Sequence, residues 1–191
     1  MHRGLVQNSL CLKQKSGLNS APCTANDVRF GSIAATGSQV TCNPGEVITV
    51  TLVATVMAGQ ADRYDVGLWL HQLGGDAKLD TGANCIHDFI PIPPGANLEG
   101  STTTDICGDI SNTQTITYTF SATLTCPSSI GAFVTGACTS WDNQVDANCF
   151  NVNGAIPGTG SKCRCGAITI GNIIVNPAPT PPAPTPPAPT P

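Results

Sequence analysis

The chain has 191 residues, a formal net charge of −4 and a charged fraction of only 10%. Lysine and arginine together number 8, too few for the basic surface of a nucleic-acid-binding domain, so no nucleic-acid partner is expected. No stretch reaches the roughly 18 apolar residues of a transmembrane helix, and the length suits one domain with a sizeable core.

Residues 1–22 are interpreted as a polar N-terminal arm. Val6, Leu10 and Leu12 share one parity, which favours a strand near them. Two interpretations stay open: a loop tethered by cysteines, or an arm that adds a strand to a neighbouring subunit. The first residues lack the apolar run of a secretion signal, so we expect the given sequence to be a processed or partial chain.

Residues 23–175 are predicted to be an all-β body. A strand is predicted at 47–57: within 47–56 every even position is apolar and three of the five odd positions are threonine, the period of two that a half-buried strand requires. Residues 113–125 repeat this alternation. Further strands are predicted at 27–35, 64–70, 130–135 and 167–175, the last with a bulge at Gly171, where the apolar parity shifts.

The strands are separated by two long segments, 76–112 and 142–162, which are rich in glycine, proline, asparagine and aspartate and are predicted as loops. No helical periodicity of useful length occurs. About seven strands with short turns predict an immunoglobulin-like β-sandwich.

The chain contains 10 cysteines and no Cys-x-x-Cys pair. They are Cys11, Cys23, Cys42, Cys85, Cys107, Cys126, Cys138, Cys149, Cys163 and Cys165. An even, scattered set favours disulfides over a zinc site and indicates a secreted or cell-surface protein. Cys163 and Cys165 share a strand face, so we expect them to bond to different partners.

Residues 176–191 form a low-complexity tail in which Pro177–Pro181 recurs without change at 182–186 and 187–191. Proline at this density predicts an extended polyproline II segment. Its regularly spaced threonines, Thr180, Thr185 and Thr190, are candidate O-glycosylation sites. An unmodified, semi-rigid linker is the other interpretation.

The three histidines, His2, His71 and His87, belong to no Ser/His/Asp spacing or Gly-x-Ser-x-Gly elbow. We therefore assign them packing or surface roles and expect no catalytic site.

Aspartates cluster in the first long loop, at Asp76, Asp80, Asp88, Asp105 and Asp109. Such carboxylates bind calcium in some loops, and Asp142 and Asp146 offer a second group. The EF-hand spacing is absent, however, and aspartate more often caps turns. No metal and no cofactor are expected.

Trp69 and Trp141 are the two tryptophans. Exposed indole rings stack on sugars, so a carbohydrate contact is one interpretation, and packing in a core or interface is the other. Nearby, Arg63 and Asp65 flank a tyrosine and are interpreted as an ion pair that pins the start of a strand.

Several segments together resemble a cysteine-rich β-sandwich module that occurs in tandem in large bacterial surface proteins and in mastigoneme-like proteins of algal flagellar hairs. They are Arg63–Leu70, Gly74–Ala77, Cys107–Ile110, Ser140–Gln144 and Pro157–Cys165. The stretch Leu98–Thr104 departs from the module, where a more acidic run is expected. The tail resembles the hydroxyproline-rich, glycosylated stalks of algal wall proteins. The resemblance implies an extracellular structural protein without a catalytic site.

The expected function is an extracellular structural subunit that packs with copies of itself into a filament, hair or surface coat, through sheet edges, arm and tail. The alternative is a secreted carbohydrate-binding or adhesive module on a proline-rich linker. A secreted hydrolase is the least favoured class, because its motifs are missing.

Overall fold

The structure is a computed structural model that describes residues 6–9, 11–16, 23–99, 105–143, 145 and 162–178. Its elements are β1 (Val6–Ser9), α1 (Leu12–Ser16), β2 (Val28–Ala35), β3 (Val40–Cys42), β4 (Val47–Ala58), β5 (Tyr64–His71), β6 (Cys85–Phe89), β7 (Thr115–Thr125), β8 (Gly131–Asp142) and β9 (Lys162–Val175). The predicted all-β class is confirmed. Within the described ranges, no helix has the length and apolar character to cross a membrane.

The nine strands belong to one hydrogen-bonded sheet. Its order is β1-β6-β5-β8-β9-β2-β4-β7, and β3 joins it by pairing with β9. The pairs of β9 with β2 and with β3 are parallel, and the other pairs are antiparallel. An immunoglobulin-like sandwich has two separate sheets, whereas this sheet is continuous and curls until it is nearly barrel-shaped.

Contacts between β7 and the other end of the strand order show the curl. The Tyr118 hydroxyl in β7 donates a hydrogen bond to the Asp88 carboxylate in β6, at 2.6 Å. The Thr125 N–H donates to the carbonyl of Gln72, at 2.9 Å, just after β5. The Gln72 amide donates in turn to the carbonyl of Thr123, at 3.2 Å. The last strand in hydrogen-bond order therefore lies across the core from β5 and β6.

The predicted alternation of β4 and β7 is confirmed and builds one wall of the core. Leu52, Ala54 and Val56 are buried, whereas Thr51 is exposed and Val53 and Thr55 are only half-buried. In β7, Phe120 lies opposite Leu52 and Ile116 opposite Val56. Hydrogen-bonded neighbours thus bury the same face, as a pleated pair with one solvated side requires.

Four disulfides between described residues join distant parts of the chain. They are Cys11–Cys85, Cys23–Cys163, Cys42–Cys126 and Cys138–Cys165. Cys107 is also disulfide-bonded, and Cys149 lies outside the described residues. Cys163 and Cys165 bond to different partners, as predicted. In the chain-entropy model, a bridge that closes on the order of 100 residues stabilises the fold by about 4–5 kcal/mol.

Four strands differ from the sequence prediction, and one of them, β3, lies where no strand is predicted. The sequence predicts a loop where β6 lies, but the structure has a strand there with all five residues buried, so its two faces do not alternate between buried and exposed positions. β8 and β9 are longer than expected, so that Thr139 pairs with Arg164 near the start of β9. The bulge predicted at Gly171 is present. Ala132 pairs with Ile174 and Phe133 pairs with Ile170, so the three β9 residues between them have no counterpart in β8.

The N-terminal arm adds a strand to its own sheet. β1 pairs with β6, with Val6 opposite His87 and Ser9 opposite Cys85. The Cys11–Cys85 disulfide fixes the arm to the same strand. The described part of the arm is therefore tethered to the body, and its strand is already used within this chain.

Candidate functional site

Carboxyl groups from three parts of the chain, namely β5, the end of β8 and the connection between β6 and β7, converge near the first residues of β5. Asp65 is the second residue of β5, and Asp142 is the last residue of β8, paired with Tyr64. The segment around Asp109 joins this region because Ile110 bridges to Arg63 and Asp109 bridges to Ala96. Glu99 and Asp105 come from the loop between β6 and β7.

Asp65 lies in an unusual backbone conformation. Its φ is 49°, a region that few residues other than glycine, asparagine and aspartate adopt. The β5–β8 register shifts between Tyr64 and Gly67, so an irregularity of pairing surrounds it. Its side chain is only 5% exposed, and Oδ1 has no hydrogen-bond partner.

Asp109 is fully buried and holds two segments together. Its Oδ1 accepts the N–H of Asp65 at 3.1 Å, and its Oδ2 accepts the N–H of Leu98 at 2.6 Å. Burial raises the pKa of Asp109 to about 6, against the lowering by the Leu98 and Asp65 N–H groups. Asp109 therefore positions Asp65 relative to the loop.

The pKa of Asp65 is raised to about 8, first by burial and then by the nearby carboxylates. These are Glu99, Asp105, Asp109 and Asp142. Both effects disfavour the charged carboxylate, because a buried anion loses hydration and is repelled by like charges. The carboxyl group of Asp65 therefore keeps its proton at neutral pH, below its raised pKa.

The expected ion pair between Arg63 and Asp65 is not formed. Arg63 contacts Asp27 instead, at 2.9 Å between Nη2 and Oδ2. Alternation would place both residues on one face, but the positive φ of Asp65 breaks it. The arginine thus ties the start of β5 to the residue before β2, and the prediction for this pair was wrong.

Asp105 brings a second carboxylate to Asp65. One carboxylate oxygen of Asp65, one of Asp105 and the sulfur of Cys107 all lie within 4.8 Å of one another. Because that sulfur is in a disulfide, it is not a thiolate ligand. Asp105 also accepts the Cys107 N–H, at 3.2 Å. The donors available to a cation here are hard carboxylate oxygens, which suit calcium or magnesium.

The other aspartates suggested for calcium are dispersed. Asp76 accepts the N–H of Lys78 at 2.8 Å and caps a turn, and Asp88 accepts the Tyr118 hydroxyl. Asp80 bonds to His71, and Asp146 lies outside the described residues. Of the aspartates predicted in the first long loop, only Asp105 and Asp109 lie in the cluster around Asp65. Sequence reasoning missed Asp65 and Glu99 as members, since neither lies in an acidic run.

His71 is fixed within a turn. Its Nδ1 accepts the N–H groups of Leu73 and Gly75, at 3.1 and 2.8 Å, so its proton lies on Nε2. Nε2 donates to Asp80 at 2.6 Å. The Gly82 N–H, His71 and the Asn84 amide together lower the pKa of Asp80. These bonds fasten the loop after β5 to the strand.

Both tryptophans are buried, at 0% exposure for Trp69 and 1% for Trp141. The Trp69 ring stacks on His87, with centroids 3.9 Å apart. Neither indole has a face open to solvent, so the arrangement that a sugar platform needs is missing at both positions. His2 and the tail threonines Thr180, Thr185 and Thr190 lie outside the described residues.

A groove of about 610 Å³ opens between β7 and the segment that follows β6. Thr117–Thr119 forms one wall, and Phe89, Pro91–Pro94 and Ile106 form much of the other. Asp105 also lines it. A second groove, of about 470 Å³, lies over β8 and β9 beside the Gly74–Asp76 turn.

Comparison with known proteins assigns no family. No family model matches the chain, and no curated protein sequence matches it. Among solved structures, AvmM, which catalyses macrocyclization in alchivemycin A biosynthesis, aligns over 78% of this chain and 90% of its own, with 9% identity and a TM-score of 0.35. That likeness is too weak to inform the function of this chain.

Proposed function

We propose that the chain is an extracellular, non-catalytic structural subunit that assembles with copies of itself into a filament, hair or surface coat. The observation that supports this most is the groove at the edge of the sheet. Among the described strands, the backbone of β7 pairs with β4 alone, and Thr117–Thr119 of β7 lines the groove. A strand edge with an open channel beside it favours the addition of an extended segment.

The chemistry of the groove suits a proline-rich segment. Phe89, Ile106 and Pro91–Pro94 present apolar surface opposite the strand edge. Polyproline II helices bind in apolar grooves lined by aromatic side chains, and they lose little conformational entropy when they bind. We propose that the tail of a neighbouring copy, with its repeats of Pro177–Pro181, occupies this groove.

Such a contact is head-to-tail, since one copy offers the groove and the next offers the tail. Contacts of this type extend into filaments unless the rotation closes a ring. β1 is already paired with β6, which leaves the tail as the extended segment for exchange. In this proposal the outward-facing part of the tail carries glycans on Thr180, Thr185 and Thr190.

An oxidising location agrees with the disulfides. Four bridges and a further bonded cysteine in one small body are typical of secreted and surface proteins. We infer that the chain is a cysteine-rich β module of the type found in tandem surface proteins and mastigoneme-like hair proteins. That inference depends on landmarks such as Ser140–Gln144 and not on a matched family.

The alternative, a monomeric carbohydrate-binding module, has less support. It depended on Trp69 and Trp141, and both are buried.

Sedimentation velocity of the oxidised, full-length chain tests the proposal. We expect species larger than one chain whose proportion rises with concentration. Thr117→Lys and Thr119→Lys each place a charge in the groove and should shift the chain towards monomer. Thr51→Lys is the matched control, because Thr51 is exposed on the neighbouring strand and does not line the groove.

A chain that ends at Asn176 separates the two halves of the contact. It should be monomeric alone, yet mixing it with the separate tail peptide should show binding at the groove. A full-length chain that stays monomeric across the whole concentration range would reject the proposal. Equal assembly by the Thr117→Lys and Thr51→Lys variants would reject the groove as the contact.

A further inference from the structure

We propose that the cluster at the start of β5 is a calcium site, with the carboxylates of Asp65 and Asp105 as its protein ligands. Asp109 acts as a positioning residue. The site is independent of how the chain assembles, and its test does not need a filament.

The spacing of the carboxylates fits one ion. Calcium binds oxygen at about 2.3–2.6 Å, so two oxygens on the same ion lie no more than roughly 5 Å apart. Carboxylate oxygens of Asp65 and Asp105 are within 4.8 Å of each other. Two residues 40 positions apart in the chain are thus held at the distance that a shared cation requires.

The Asp65 carboxylate points to a missing partner. Its side chain is 5% exposed, and Oδ1 has no hydrogen-bond partner. A buried carboxylate oxygen without a partner is costly, because nothing replaces the water that it loses. The positive charge nearest in sequence, Arg63, is engaged by Asp27. A cation bound to Asp65 would supply the missing interaction.

The charge around Asp65 has one sign. Four further carboxyl groups act on it, from Glu99, Asp105, Asp109 and Asp142. Like charges in a site of low dielectric repel each other strongly. A divalent cation offsets this repulsion.

Hydrogen bonds to Asp109 hold the scaffold of the site. Asp109 uses both oxygens on backbone N–H groups, those of Asp65 and Leu98, so it is not counted as a ligand. These bonds fix the backbone on two sides of the site. Outer-shell contacts of this kind orient ligands and reduce the entropy lost when a metal binds.

The donor set favours calcium over other metals. Zinc prefers nitrogen and sulfur ligands, and the sulfur of Cys107 is in a disulfide. Magnesium demands a near-ideal octahedron and keeps most of its water, whereas calcium accepts several carboxylates in irregular geometry. We therefore expect calcium to bind at least tenfold more tightly than magnesium.

Isothermal titration of the EDTA-treated, full-length chain with calcium chloride tests the proposal. We expect one ion per chain, with Kd between roughly 10⁻⁵ and 10⁻³ M, the range from weaker sensors to extracellular modules. Calcium at about 100 times Kd should raise Tm by roughly 5–10 °C. Asp65→Asn keeps the side-chain volume and should weaken binding at least tenfold, with loss of the Tm shift.

Asp76→Asn is the matched control, because Asp76 is an exposed carboxylate in a turn away from the cluster. It should leave the calcium Kd within about twofold. Asp105→Asn is a second test of the site if Asp65→Asn does not fold. A wild-type chain with neither binding heat nor a Tm shift would overturn the proposal. So would an Asp65→Asn variant that binds calcium as tightly as wild type.

Discussion

The Tyr118 hydroxyl donates a 2.6 Å hydrogen bond to the Asp88 carboxylate and links β7 to β6 across the core. Both residues are buried, at 8% and 6% exposure. Burial, together with the charge and hydrogen bond of Asp88, raises the pKa of Tyr118, so the phenol stays protonated and remains a donor. Two strands that are distant in hydrogen-bond order are therefore held together by one polar contact.

Tyr118→Phe should lower the free energy of unfolding by about 1.5–3 kcal/mol, because it removes a hydrogen bond to a charged group inside the protein. Urea denaturation of the oxidised chain measures it. Tyr64→Phe is the control, since it removes the other tyrosine hydroxyl from a half-buried position and should cost less than about 0.5 kcal/mol. Equal stabilities for the two variants would show that the contact contributes nothing.

Asp65 predicts a pH dependence of stability in the presence of EDTA. Its pKa rises from 3.8 when unfolded to about 8 in the fold. Between these values the folded state binds a proton that the unfolded state has lost, so stability falls as the pH rises. The slope from this group is at most about 1.4 kcal/mol per pH unit, and it vanishes above pH 8 or so.

The difference in free energy of unfolding between wild type and Asp65→Asn separates the contribution of Asp65 from that of the other carboxyl groups. In EDTA, the variant should gain stability relative to wild type as the pH rises from about 4 to about 8. Denaturation at several pH values measures the difference. A difference that stays constant over this range would contradict the raised pKa of Asp65.

Gly136 allows β8 to pass close to the Gly74–Asp76 turn. A Cβ on Gly136 would lie 2.5 Å from the Gly75 carbonyl oxygen and 2.7 Å from the Ala77 nitrogen. Both are backbone atoms that cannot easily move aside, so Gly136→Ala should lower the free energy of unfolding by about 1–3 kcal/mol through overpacking. Gly166→Ala, on the adjacent strand with no atom within 4 Å of its Cβ, is the control. Thermal unfolding compares them, and similar Tm values would contradict the close approach.

The disulfides should rank by the length of chain that they close. Cys42–Cys126 spans 84 residues and Cys138–Cys165 spans 27. In the chain-entropy model, replacing the longer pair with alanines should cost about 1 kcal/mol more than replacing the shorter pair. Guanidinium denaturation of the two double variants measures the order. The reverse order would indicate that native packing, and not loop closure, dominates.

The strands with one solvated face were predictable, since β4 and β7 alternate apolar residues with threonine. β6 was not, because Cys85–Phe89 is buried on both faces and includes a histidine and an aspartate. Such a segment has the composition of a loop, and only the β1 and β5 strands on either side show why it is a strand.

The carboxyl cluster was only partly predictable, for a related reason. Asp105 and Asp109 stand in an acidic, loop-like stretch that suggests cation binding, whereas Asp65 stands in a strand beside an arginine. Its burial depends on a positive φ and on long-range pairing with β8. Neither feature has a local sequence signal, which is why the expected pair with Arg63 was wrong.

Electron microscopy of the native, unreduced chain tests the proposed function most directly. We expect regular filaments or arrays in which each copy contacts the next through the β7 groove and the tail. Thr117→Lys should disperse them, and Thr51→Lys should not. Single, dispersed chains in the native sample would contradict the account and favour a tethered binding module.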